Sequence, residues 1–186
     1  MDGTEQAGDH DWARDSDPVF TFLGLYLTLF QTIEGKVDQV LLLAAGIENW
    51  DATQTKLAKM QNHEKVEAMV KAAADVAVFP LLARIPDWSQ SIGKLVDLLH
   101  AERRRRNLVM HSQYLMEGLE HGFPAIRSAR TRPPDPGFDQ EDLTRARMDE
   151  ILREAAELAF EVGIVNAQLI QAMLRPSRDG VEATQL

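Results

Sequence analysis

Glu102-Arg103-Arg104-Arg105-Arg106-Asn107-Leu108-Val109-Met110-His111-Ser112-Gln113-Tyr114 is the stretch on which the reading of this chain turns. Four consecutive arginines run into an Arg-Asn-x-x-x-His spacing. Adjacent like charges repel and are costly to desolvate, so a cationic run kept beside a histidine in an acidic domain points to a held phosphate. On an ideal helix Asn107 and His111 face the same way, with Arg104 one turn before them. Arg106 stands about 140° round the helix from His111, so it must reach round or sit on a frayed first turn. Hydrophobic periodicity lapses between His100 and Asn107 and resumes at Leu108, Val109, Leu115 and Met116. The segment therefore either continues the preceding helix or restarts. A bend or restart near the arginines is expected, which would set the positive end of a helix beside Arg106 and Asn107 as an anion site.

Upstream, Asp17 as N-cap and Pro18 at the first helical position open a helix over residues 18–45. Phe22, Tyr26, Phe30, Ile33, Val37, Val40, Leu41 and Ala44 recur at three- and four-residue steps along it. Gln31, Glu34 and Asp38 form a polar stripe that is either a solvated face or a brace for the arginines. Gly46 to Thr53 reads as a turn, with a second helix over residues 53–78 that stops before Phe79-Pro80. His63-Glu64 begins like a zincin motif, but Glu67 stands where the second histidine would be, so metalloprotease chemistry has no support. Ile85-Pro86-Asp87 reads as a break with Asp87 as the next N-cap, and Ile92, Leu95, Val96 and Leu99 give a third helix its apolar stripe.

Downstream, residues 118–139 carry too many glycines and prolines for a helix and read as the longest loop, with a short hairpin over residues 124–130 as an option. Arg127, Arg130 and Arg132 there are either a second electropositive patch or a solvated loop. Asp139 and Asp142 give a capping-box-like start to a last helix over residues 140–174, which should pack against the first and stop before Pro176. The expected fold class is all-α, a four- or five-helix up-and-down bundle without repeats. Its expected organisation is a disordered acidic tail over residues 1–16, one helical domain over 17–175 and a flexible tail over 176–186.

The chain has 186 residues, 45% of them hydrophobic, enough for one domain with a sizeable core. Its formal charge of −9 argues against non-specific coating of nucleic acid, so any polyanion contact must be local. The absence of cysteine excludes disulfides and thiolate metal sites and fits a reducing compartment, so a cytoplasmic location is expected. No secretory signal is apparent, and the apolar run from Val19 to Phe30 falls short of the ~20 residues a bilayer span needs, so no membrane is expected. A di-iron site would need two Glu-x-x-His steps, and only Asp97-x-x-His100 comes near. Walker, nucleophile-elbow and Rossmann glycine motifs are absent, and no cofactor is expected.

Arg106-Asn107-Leu108-Val109-Met110-His111 resembles the R-x(4–6)-H signature of the HEPN superfamily, in which a polar residue directly follows the arginine. The resemblance implies a small helical bundle forming a two-fold homodimer, with two copies of the motif lining one cleft. In many members it implies a metal-independent endoribonuclease. Glu34-x-x-x-Asp38 looks like an accessory acidic motif of the superfamily, with Asp where Lys or Arg often stands. Ser112 departs from the glycine common after the histidine. A toxin or defence effector held by an antitoxin or regulatory protein is the implied setting.

In RNA cleavage by the 2′-hydroxyl a base removes that proton, an acid assists the leaving 5′-oxygen, and cations stabilise charge building on phosphorus. An imidazole titrates near neutrality and can fill either proton-transfer role. The expected catalytic set is therefore His111 as base or acid, Arg106 as clamp on the scissile phosphate and Asn107 as its orienting partner. Arg103, Arg104 and Arg105 would hold flanking phosphates, and Tyr114 either stacks on a base or is a packing aromatic. The alternative is a catalytically silent HEPN-like dimer that binds a protein partner or nucleotide. In a purely structural arrangement, Glu34, Asp38, Asp97 or Glu102 would pair with the arginines.

Overall fold

A computed structural model describes residues 12–75, 78–79, 85–131 and 137–174, with the side chains of 12–15 and 173–174 left undescribed. Residues 1–11, 175–186 and the proline run 133–136, expected as tails and loop, lie outside that set. Five α-helices are present among the described residues: α1 (Trp12–Ala45), α2 (Trp50–Leu57), α3 (Asn62–Ala74), α4 (Trp88–His111) and α5 (Arg145–Leu174). Three strands, β1 (Gln113–Leu115), β2 (Ala125–Arg130) and β3 (Phe138–Leu143), form one antiparallel sheet in the order β1-β2-β3. The all-helical expectation thus gives way to a mostly helical chain with a small sheet. No described helix is long and apolar enough to cross a membrane.

The contacts cluster into two compact units, one of Met1–Leu29 with Arg104–Ala156 and one of Phe30–Arg103 with Glu157–Leu186. In the second, Ile33, Val37 and Val40 of α1 share a core with Val66, Met69 and Ala73 of α3, Trp88, Ile92, Leu95 and Leu99 of α4, and Leu158, Val162, Val165 and Leu169 of α5. Each such fully buried aliphatic side chain is worth roughly 1.5–3 kcal/mol relative to exposure. The Trp88 indole N–H, which would otherwise be buried unsatisfied, donates to the Ala73 carbonyl at 2.8 Å. Asn166, also buried, donates from Nδ2 to Gln39 Oε1 at 2.6 Å and ties α5 to α1.

The expected second helix is two helices. Residues 58–61 interrupt it, and the Glu64 carboxylate reaches back to accept from the Gln61 backbone N–H at 2.8 Å, the reciprocal half of a capping box. The His63-Glu64 pair is therefore a helix start, with His63 exposed. Glu64→Ala is expected to cost about 0.5–1 kcal/mol, because an exposed cap is replaced in part by water, and urea unfolding followed by circular dichroism checks it.

In the first unit Val19, Phe22 and Tyr26 of α1 pack with Val109 of α4, Ala125 of β2, Leu143 of β3 and Met148, Ile151 and Ala155 of α5. Helix α1 begins at Trp12 rather than Pro18. Pro18 lies inside it, exposed, so residues 12–16 of the expected tail are helical and Asp17 is not the cap. Arg127 of β2 faces Tyr114 of β1 on one side and Glu141 of β3 on the other, and Ala125 faces Leu143. Alternation along the strands sends Tyr114, Ala125, Arg127, Glu141 and Leu143 to one face, with Tyr114 and the two apolar residues packed on the core. Between β1 and β2, Gly122 takes φ 78° and accepts the left-handed conformation that closes the Gly118–Phe123 turn.

Helix α5 starts five residues later than expected. Residues 138–143 pair as β3, and Thr144, not Asp139, caps the helix by accepting from the Arg147 N–H at 3.2 Å. Residues 140–143 lost their helical register because β2 offered them a ladder of backbone partners, a non-local alternative that local propensity does not contain.

Candidate functional site

Helix α4 runs unbroken through the arginines to His111. This corrects the expected bend or restart. Where apolar periodicity lapses, polar contacts take over: Glu102 is buried, and Arg105 Nη2 pairs with Glu154 Oε2 of α5 at 2.5 Å. Arginine is also a good helix former, so the run carries no local signal to stop. The consequence is chemical. The N–H groups around Arg106 and Asn107 belong to a helix interior, and the nearer helix terminus is the C-terminal, negative one, so no helix N-terminus supplies an anion site here.

The last turns of α4 present Arg104, Asn107 and His111 as exposed residues at i, i+3 and i+7, which places them along one face. Arg106 is half-buried and bends toward that face, donating from Nη1 to Asn107 Oδ1 at 3.3 Å. On a continuous helix Arg106 and His111 remain about 140° apart, so a single helix does not bring them onto one face. Arg103 is half-buried. Leu108 and Met110, on the same turns, are 41% and 39% exposed.

The remaining expected site residues have other partners. The Tyr114 phenol donates to the Val109 carbonyl at 2.6 Å, and the half-buried ring packs on the core of the first unit. Burial pushes its pKa up to about 12, with the Arg127 cation pulling it down and Glu141 pushing it further up. It therefore remains a donor at any neutral pH. Glu34 Oε1 accepts from Asn62 Nδ2 at 2.9 Å and Asp38 Oδ2 pairs with Lys65 Nζ at 2.9 Å. Both recorded partners are on α3, not in the arginine run.

Sequence reasoning missed the polar cluster beneath the end of α4. Arg127, expected in a loop as either a patch or a solvated residue, lies in β2 and is only 6% exposed. Its Nε donates to Glu141 Oε2 at 3.1 Å, Nη2 to Asp139 Oδ2 at 3.3 Å and Nη1 to Ser112 Oγ at 3.3 Å. Glu141 also takes Arg147 Nε at 2.6 Å, and Arg147 Nη1 reaches Glu150 Oε2 at 2.6 Å. The Ser112 hydroxyl in turn donates to the Leu108 carbonyl at 2.5 Å. A signal existed in principle: Arg127, Asp139 and Glu141 lie at alternate positions of two strands, where opposite charges match.

Burial pushes the Glu141 carboxyl up, but the hydrogen bonds and charges of Arg147 and Arg127 outweigh it and leave the group below its ordinary value of 4.5. A lowered folded-state pKa stabilises the fold above the unfolded value, and that contribution is lost as pH falls through the folded one. Thermal unfolding between about pH 6 and about pH 3 is expected to show melting temperature dropping below about pH 4.5, with the drop shallower in Glu141→Gln.

Among the described residues no three metal-ligating side chains cluster. No family model, no curated protein and no solved structure matches this chain.

Proposed function

We propose that this protein is a metal-independent endoribonuclease of HEPN type, acting as a two-fold dimer. The observation that carries the reading is the exposed row Arg104, Asn107 and His111 at the open end of α4, with the Arg106 guanidinium turned toward it through Asn107. Cations and an imidazole held outside the core, in a protein of net charge −9, have an anion as their natural ligand.

In this mechanism one His111 removes the 2′-hydroxyl proton while its symmetry mate protonates the leaving 5′-oxygen. Arg106, oriented by Asn107, binds the non-bridging oxygens of the scissile phosphate, where negative charge builds. Arg103 and Arg104 bind flanking phosphates, whereas Arg105 serves α5 through Glu154. The 140° separation of Arg106 and His111 is the reason for the dimer: two chains supply opposing groups that one helix cannot converge.

Exposed Leu108 and Met110 beside the row favour a protein surface seated there, which fits the second copy and also fits a silent dimer that recruits a partner. Cleavage of RNA in the presence of a chelator, leaving a 2′,3′-cyclic phosphate, is the expected result. No cleavage by pure wild-type dimer would leave the silent reading.

A further inference from the structure

His111 is the last residue of α4, and helix ends fray because their final four carbonyls lack intrahelical partners. Here two of those carbonyls are taken by side chains from the segment that follows. Ser112 Oγ donates to Leu108 O and Tyr114 Oη to Val109 O. A hydroxyl that donates still has lone pairs to accept with, and Ser112 uses one for Arg127 Nη1. Arg127 is itself fixed from the other side by Glu141 and Asp139 on β3, and Glu141 by Arg147 at the start of α5. The result is a chain of hydrogen bonds from α5, through β3 and β2, to the carbonyl one turn before His111. Every member of it belongs to the same compact unit.

We infer that Arg127 and Ser112 are positioning residues for His111, and that the small sheet serves to hold the end of α4 in one place while the imidazole stays exposed. The inference deepens the nuclease reading and rests on it for the reaction that His111 performs. It also accounts for a serine directly after the histidine: a glycine there has no hydroxyl to link the last turn to Arg127. The guanidinium is held by two carboxylates, Glu141 and Asp139, and reaches Ser112 through Nη1. Misplacement of a catalytic group by about 1 Å costs up to about 100-fold in rate, so the device acts on turnover rather than on substrate binding.

The test uses the full-length protein, with Arg127→Lys, Ser112→Ala, their combination and Ser112→Thr. It reads the imidazole resonances of His111 in solution, with exposed His63 as internal reference, together with RNA cleavage without metal. Arg127→Lys is expected to displace or broaden the His111 signals, leave those of His63 unmoved and lower kcat about 10- to 100-fold with KM retained. The same lysine is expected to have no further effect once Ser112 is alanine, and Ser112→Thr is expected to stay near wild type. A merely structural arginine would lower the melting temperature without this dependence on Ser112. His111 signals unmoved by Arg127→Lys, or moved equally in both backgrounds, would overturn the inference whether or not RNA is cut. Wild-type protein that cuts no RNA while its His111 signals show the dependence would remove the nuclease reading and leave the positioning intact.

Discussion

His111→Ala is expected to lower kcat for metal-free RNA cleavage by about 10²- to 10⁴-fold, the usual worth of a positioned general acid or base. In a two-fold site the substitution removes both imidazoles at once, so the effect should lie toward the upper end of that range. KM should change little, because in the proposed mechanism phosphate binding falls to the arginines and not to His111, and Arg104→Ala should show the opposite pattern, a raised KM with kcat largely kept. The fold is not at stake, since His111 is exposed at a helix end. A melting temperature within a few degrees of wild type is therefore part of the expected result. Initial rates across an RNA concentration series, with product ends identified as cyclic phosphate, measure all of this. Equal turnover by wild type and His111→Ala would remove the imidazole from the mechanism and with it the nuclease.

The largest expected effect on stability comes from Glu141, and it is asymmetric. Glu141→Ala leaves the Arg127 guanidinium, 6% exposed, with Ser112 and an Asp139 carboxylate that is itself half in water. Stripping a buried charge of its main partner costs about 3–5 kcal/mol in general, and the surviving Asp139 contact puts this case near about 3 kcal/mol. Arg127→Met removes the buried charge instead. Glu141 then keeps Arg147, Asp139 is solvated, and an apolar chain of similar length fills the space, so the cost should be about 1 kcal/mol. The double variant should be only slightly less stable than Arg127→Met, because Glu141 then contributes only its partly exposed pair with Arg147. Urea unfolding of the three proteins decides the matter. An Arg127→Met protein no more stable than Glu141→Ala would show that packing of the arginine stem, not charge compensation, holds the sheet.

The helices were legible wherever apolar residues repeat at three and four positions. Of the α1 face, Phe22, Tyr26, Phe30, Ile33, Val37 and Val40 are buried and Leu41 and Ala44 half-buried, and the apolar series of α5 from Met148 to Leu169 occupies both cores. The sheet was illegible for a specific reason. Its inward positions include Arg127 and Glu141, so the alternation of apolar and polar residues that marks a half-buried strand is missing. Opposite charges facing each other across β2 and β3 make that face tolerable, but neither strand alone shows that the other will supply them. The same blindness moved the start of α5 and divided the second helix, where Glu64 capping Gln61 outweighed continuous periodicity.

By itself the order of residues determined the central spans of the helices, because burial of one face is a local, periodic requirement. It also set His111 four residues beyond Asn107, a spacing that any helix converts into a shared face. Only the tertiary structure decided that α4 passes unbroken through the arginines and ends at His111, and that Arg127 lies inside while Arg104 lies outside. Those outcomes rest on Glu154, Glu141 and Asp139, whose distance along the chain from the arginines they engage is closed only by folding. The sign and place of a charge partner are tertiary facts, since electrostatic pairing depends on separation in space and carries no period in the sequence.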